Sequence, residues 1–148
     1  MDHKTKKSQV VLAALDQQRQ SVVFLLLQTN QRRGEFWQNV TGKVEDGESF
    51  EEGALREAIE ETGLKIESIV DIIDLNIIHE FTDQRGRKVE EKSFLIILDH
   101  SWDVKLDPKE HMSCKWVELK DIKTDSVKYQ GNFEALAKSI QLLQQWGH

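Results

Sequence analysis

Residues Gly42 to Leu64 read GKVEDGESFEEGALREAIEETGL, and these twenty-three positions carry eight carboxylates. Ser49 followed by Glu52 has the spacing of a capping box, and Gly63 stands where a glycine commonly ends a helix. The helix predicted between them runs to about Glu61. On a wheel of about 100° per residue, Leu55, Ala58 and Ile59 share one side, suited to a core. Glu57, Glu60 and Glu61 stand at i, i+3 and i+4 on another side, within one turn of each other. Gly53 precedes Glu57 by one turn on that same side.

Such a patch is either a solvated acidic face or a cation site, and three features favour the cation. Like charges at this spacing destabilise a bare helix by about 0.2–0.5 kcal/mol per pair. Two of the three carboxylates stand near the helix C-terminus, the wrong end for the macrodipole. A glycine inside a helix costs ~1 kcal/mol relative to alanine, which close approach to the backbone would explain. Hard carboxylate oxygens suit Mg²⁺, with Mn²⁺ as a substitute, and leave room for water and phosphate oxygens. The segment lacks the alternating Asp/Asn oxygens of an EF-hand loop. No P-loop and no His/Cys cluster with zinc spacing occurs.

Working outward, QVVLAAL and SVVFLLLQ read as strands joined by a polar turn, the second apolar on both faces. TNQRRGEF is a polar loop, and WQNV a short strand leading to Gly42. Beyond the helix, IESIVDIIDLNIIHEF reads as one or two strands, TDQRGRK as a hairpin turn and VEEKSFLIILD as the returning strand. Pro108 marks a loop, CKWVEL a further strand, and LKDIKTDSVKYQ an irregular stretch. NFEALAKSIQLLQQW is a terminal helix whose Phe133, Leu136, Ile140 and Leu143 form a core face. Strands around one helix, with a second helix at the end, imply an α/β protein with helices packed on a mixed sheet.

A length of 148 residues fits one domain. We expect residues 1–8 to be a flexible segment and residues 9–148 the domain. A net charge of −6 argues against nucleic acid as a partner. A small phosphate-bearing substrate stays compatible, because bound cations reverse the local sign. Cys114 is the single cysteine, so no intrachain disulfide forms, which fits a reducing compartment. No apolar run approaches the ~20 residues that span a bilayer. The expectation is a cytoplasmic protein without a membrane partner; a homodimer is compatible with the chain.

The opening stretch resembles the Nudix box: G, five residues, E, seven residues, R-E, an apolar residue, any residue, E-E, any residue, G, an apolar residue. Gly42, Glu48, Arg56, Glu57, Glu60, Glu61, Gly63 and Leu64 fall at its places, and Ala58 is smaller than the usual Ile, Leu or Val. The resemblance implies the Nudix α/β/α sandwich and hydrolysis of a nucleoside diphosphate linked to another group. It implies that the Gly42 carbonyl, Glu57, Glu60 and Glu61 hold divalent ions and that Arg56 orients the loop through Glu48. FWQ followed by VTG, and KEHMSCKW, are similar to the dihydroneopterin triphosphate pyrophosphatases, in which the glutamate matching Glu110 is the proposed base. Glu110 would then serve as base and metal ligand, with Glu90 or Glu91 next in line. On that likeness the substrate is a nucleoside or dihydroneopterin triphosphate, and pyrophosphate is released. Dinucleoside polyphosphates, nucleotide sugars and a non-catalytic nucleotide-binding module are the alternatives.

Outside the box, Arg32 and Arg33 are candidates for a distal phosphate, with exposed loop charge as the alternative. Trp37, Phe36 and Tyr129 are candidates to stack on a base or pterin ring, with core packing as the alternative. His79 and His111 are candidate ligands, with a hydrogen-bonded structural histidine as the favoured reading of each, and Cys114 reads as an inert buried thiol.

Overall fold

A computed structural model describes residues 4–16 and 20–146. Its elements are β1 (Thr5–Asp16), β2 (Ser21–Thr29), β3 (Trp37–Gln38), β4 (Val40–Lys43), α1 (Phe50–Thr62), β5 (Ile69–Thr82), β6 (Lys88–Leu98), β7 (His111–Glu118) and α2 (Gln130–Trp146). Seven strands form one mixed sheet in the order β3-β2-β1-β6-β5, with β4 paired to β1 and β7 to β2. Along one edge β1 runs parallel to β6, from Thr5↔Val89 to Ala14↔Leu98. Its other edge is divided: Lys7–Val10 pair with β4 and Ala13–Asp16 with β2, both antiparallel.

The sheet is covered on both faces, giving the α/β/α sandwich expected. Ala54 and Ala58 of α1 pack against Val10, Leu12, Phe94 and Ile96. Ala135, Leu136 and Leu143 of α2 pack against Val11, Ala13, Leu95 and Ile97. Alternate residues of β1 and β6 therefore enter different cores, which is why Val10–Ala14 of β1 and Phe94–Leu98 of β6 read as continuous apolar runs. Each large side chain so buried contributes about 1.5–3 kcal/mol. Among the described residues no helix is long and apolar enough to cross a membrane.

Four boundaries differ from the sequence reading. β1 begins at Thr5, not Gln9, because Ser8 is fully buried and its hydroxyl donates to the Phe50 carbonyl at 2.7 Å. Thr5–Ser8 of the segment expected to be flexible thus belong to β1, and residues 1–3 lie outside the described residues. WQNV is not one strand but the end of β3 and the start of β4, broken at Asn39. The Asn39 N–H donates to Asn132 Oδ1 at 2.9 Å and its amide to Gln9 Oε1 at 2.8 Å, so both leave the ladder for α2 and β1. β7 begins at His111, three residues early, because it continues the pairing of β2 as far as Thr29. α2 begins at Gln130, two residues before the helix predicted from Asn132.

Candidate active site

The box helix is built as its caps require. Ser49 Oγ accepts from the Glu52 N–H at 3.0 Å, Glu52 Oε1 accepts from the Ser49 N–H at 2.9 Å, and Gly63 closes the helix at φ 71°. Arg56 then ties the helix to the loop before it. Its Nε and Nη2 donate to the two oxygens of Glu48 at 2.7 and 3.1 Å, and Nη2 also donates to the Lys43 carbonyl at 2.8 Å. This fork holds the Glu48 carboxyl below its usual pKa, helped by the Glu45 N–H. Gly53 has its explanation here. A Cβ on it would stand 3.2 Å from both Val44 Cγ2 and Glu48 Oε1, so the chain's own loop fills the space above the glycine.

The carboxylates differ sharply in environment. Glu57 lies beneath Gly42 of β4 and accepts from Arg56 Nη1 at 3.0 Å. Burial raises its pKa, and Arg56 opposes the shift. Glu61 is only 8% exposed, and its Oε2 has no hydrogen-bond partner. Burial pushes its pKa up to about 8, with the charges of Glu57 and Glu110 adding to the effect. Glu60 is the outlier, with 58% of its side chain exposed and Oε2 3.3 Å from Arg56 Nη1.

Glu110 reaches this group from the turn before β7. Asn30 anchors that turn, its amide donating to the Lys109 carbonyl at 2.7 Å and its backbone N–H to the Glu110 carbonyl at 3.2 Å. Arg33, in a single 3₁₀ turn after β2, donates from Nη1 to Glu110 Oε2 at 3.0 Å. The structure therefore brings Gly42, Glu57, Glu61 and Glu110 together with Arg33, and leaves Glu60 at the rim. Beneath them His111 is buried, its Nε2 3.0 Å from the Gln38 amide nitrogen, a structural position as expected. Burial lowers its pKa to about 4, so the ring is neutral.

A cleft of about 1140 Å³ opens beside the carboxylates, between the loop after β2, the β5–β6 hairpin and the start of α2. Arg32, Arg33 and Tyr129 line it, and so does Thr41, the neighbour of Gly42. Phe36 meets Tyr129 edge to face, with ring centroids 5.3 Å apart, and Lys128 Nζ lies 4.7 Å from the Phe36 centroid. Trp37 is elsewhere: it packs on the core beneath α2, with Lys115 Nζ 4.1 Å above its ring. Cys114 is half-buried, and burial raises its thiol pKa, which keeps it unreactive.

The cleft also holds Lys7 and Lys128, which the sequence reading did not single out, together with His79 and Glu91. Glu91, named there only as a reserve base, is unexpectedly enclosed at 9% exposed. Its signal was present, since Glu91, Ser93, Leu95 and Ile97 alternate onto one face of β6 and all four are buried.

Among the described residues no three His, Cys, Asp or Glu side chains stand close enough to hold a metal ion as they are. Arg56 engages both Glu57 and Glu60. A divalent cation nevertheless fits the donor set. The buried Glu61 oxygen lacks a partner, Glu57 is seated in a hollow that a Cβ at residue 42 would fill, and all the donors are hard oxygens.

Comparison with known proteins follows from this geometry. A family model described as the NUDIX domain matches residues 5–138. An Ap4A hydrolase of Caenorhabditis elegans superposes with a TM-score of 0.74 at 26% identity, covering 95% of this chain and 98% of that one. The dihydroneopterin triphosphate pyrophosphohydrolase of E. coli superposes with a TM-score of 0.76 at 25% identity, covering 96% and 99%. An octanoyltransferase of Myxococcus xanthus is 38% identical over 98 residues, which is 64% of this chain and 26% of that protein. The chain spans about a quarter of the length of the curated relatives it matches.

Proposed function

The chain belongs to the NUDIX domain family, and from that premise we propose that it is a divalent-metal-dependent pyrophosphohydrolase acting on a nucleoside triphosphate or dihydroneopterin triphosphate. The observation that carries the reading is the buried, unpartnered oxygen of Glu61, which feels the charges of Glu57 and Glu110, in a group that Arg33 joins to the cleft. A carboxylate in that position is costly until a cation meets it.

Mg²⁺, with Mn²⁺ as substitute, would supply neutralisation of phosphate charge and activation of the attacking water. Glu57, Glu61 and the Gly42 carbonyl would hold it, with Glu110 joining from the turn before β7 and Glu60 from the rim. Arg56 holds the loop and Glu57 in register through its five donors. Glu110 is the assigned base: it approaches from outside the helix and takes the proton of the attacking water. Arg32 and Arg33 face the distal phosphates, and Tyr129 offers a ring to the head group. These groups all come from one domain, and the polyphosphate is its one assigned partner.

Dinucleoside polyphosphates are the second reading, favoured by the size of the cleft, which exceeds the roughly 300–1,000 Å³ usual for small ligands. The test is turnover of GTP, ATP, dihydroneopterin triphosphate, a dinucleoside tetraphosphate and a nucleotide sugar, with Mg²⁺, Mn²⁺ or chelator, in ¹⁸O-water. Pyrophosphate release from a triphosphate, abolished by chelator, is expected. Activity confined to nucleotide sugars would remove this reading. Binding without turnover under either metal would leave a nucleotide-binding module.

A further inference from the structure

Three side chains at the far end of the cleft take no part in the metal chemistry just described. They converge from three elements: Glu91 of β6, His79 of β5 and Glu134 of α2, and all three line the cleft. The ladder sets the first two side by side, since His79 pairs with Glu91 across β5 and β6. On its other side Glu91 pairs with Lys7 of β1.

Glu91 is enclosed, and His79, the partner nearest to it, is held at a distance. Its ion pair is with His79 Nδ1 at 3.8 Å, which is too long for a hydrogen bond. His79 cannot shorten that distance freely. Its Nε2 is committed to Glu134 Oε2 at 2.8 Å, and Gly131 lies against the ring, where a Cβ would come 3.1 Å from His79 Cε1. Gly131 is itself fixed, its carbonyl accepting from the Gln9 amide at 3.4 Å. The result is a carboxylate held at a cleft wall by one long contact, which shorter donors from a ligand would improve on. Burial raises its pKa against the opposing charges of His79 and Lys7. Such a group is stabilised by a ligand that supplies the missing donors.

We infer that Glu91, positioned by His79 and Glu134, reads the substrate's head group, and that the head group is a heterocycle presenting two adjacent N–H donors. A 2-amino-4-oxo ring edge does so in guanine and in pterins alike. Its ring N–H and exocyclic amino N–H stand side by side, matching the two oxygens of one carboxylate as an arginine fork does. Adenine presents one N–H beside a ring nitrogen acceptor. That lone pair would face a carboxylate oxygen, so the same contact that favours one ring penalises the other. Tyr129, 47% exposed at the cleft, supplies a ring face for the heterocycle. The inference deepens the hydrolase reading and rests on it for the assignment of the cleft as the substrate site.

The experiment is calorimetric titration of the full chain, in chelator, with guanosine 5′-monophosphate, neopterin and adenosine 5′-monophosphate. The wild-type chain is expected to bind guanosine monophosphate or neopterin at least ~10-fold more tightly than adenosine monophosphate, the size of one good bidentate contact. The first two arms decide between guanine and pterin as the natural ring. In Glu91→Gln the preference should fall to within about threefold, because an amide has only one acceptor oxygen. Equal affinity of the wild type for all three compounds, absence of binding by all three, or an unchanged preference in Glu91→Gln overturns the inference. The wild-type comparison stands even if Glu91→Gln fails to fold. Glu61→Gln separates the two ideas: it should lose turnover and keep the head-group preference. Turnover without preference removes the reader alone, and preference without turnover on any triphosphate removes the hydrolase alone.

Discussion

The carboxyl carbon of Glu57 lies 2.1 Å from the point where a Cβ on Gly42 would stand. Gly42 does not adopt a positive φ, so alanine is acceptable to its backbone and the conflict is with Glu57 itself. Gly42→Ala should expel the Glu57 side chain from its seat. Overpacking of this kind costs ~1–3 kcal/mol, and misplacing a group that stabilises transition-state charge costs ~10²-fold or more in turnover. Urea unfolding and steady-state kinetics measure the two effects. Adding Glu57→Ala to Gly42→Ala should recover the stability and leave turnover low, a coupling that a double-mutant cycle reads directly.

Glu61 makes the metal-free protein sensitive to pH. An unfolded glutamate titrates near ~4.3, whereas folded Glu61 titrates at about 8. Between those values the native chain keeps a proton that the unfolded chain has released. Stability in chelator should therefore fall as pH rises through that window, by at most ~1.4 kcal/mol per unit from this group, and level off above it. Glu61→Gln should flatten that slope while preserving the fold, and lower saturated turnover at least ~10²-fold. Thermal unfolding in chelator across pH, beside kinetics with Mg²⁺, checks both. A mutant with the wild-type slope and rate would reduce Glu61 to an incidental charge.

Arg56→Lys keeps the charge and removes the fork. A single ammonium cannot donate at once to both Glu48 oxygens, Glu57 and the Lys43 carbonyl. The loop before α1 should loosen, and apparent Mg²⁺ affinity in the turnover assay should weaken by roughly 10- to 100-fold, the range seen when outer partners of metal ligands are lost. Faster amide exchange at residues 43–49, with α1 still protected, would locate the change.

Glu110→Gln should lower turnover by roughly 10² to 10⁴. Metal affinity should change less than in Glu61→Gln, because Glu110 is paired with Arg33 and half exposed. Wild-type turnover in Glu110→Gln would transfer the role of base to another carboxylate.

Much of this site was legible in the sequence because it is written locally. The capping box, the helix stop and the i, i+3, i+4 carboxylates lie within one element, where spacing dictates direction. The Glu48–Arg56 pairing was legible too, though only through the family pattern. Gly53 was misjudged for a physical reason: the wheel shows which side a glycine opens, and not that Val44 and Glu48 come back to fill it. The break at Asn39 was hidden because it depends on Gln9 and Asn132, far away along the chain. Arg33 and Glu110 meet across 77 positions, beyond the reach of any local pattern. Glu91 was named only as a reserve base beside Glu90, although its place in the β6 alternation marks it, and not Glu90, as inward-facing.

The divided edge of β1 has a bearing on how the chain reaches this structure. Val89, the parallel partner of Thr5, is 84 residues further along. A nascent chain can assemble β1 with β2 and β4 early, but the opposite edge of β1 stays open until β6 has been made. That edge, apolar from Val10 to Ala14, is unpaired until then, the condition under which strands find partners on other molecules. Pairing at such separation must meet a large loop-closure cost before it is rewarded, which places folding in the millisecond-to-second range rather than the microseconds of helical bundles. The strand that positions Gly42 over the carboxylates is thus the one whose folding depends on the arrival of a late segment.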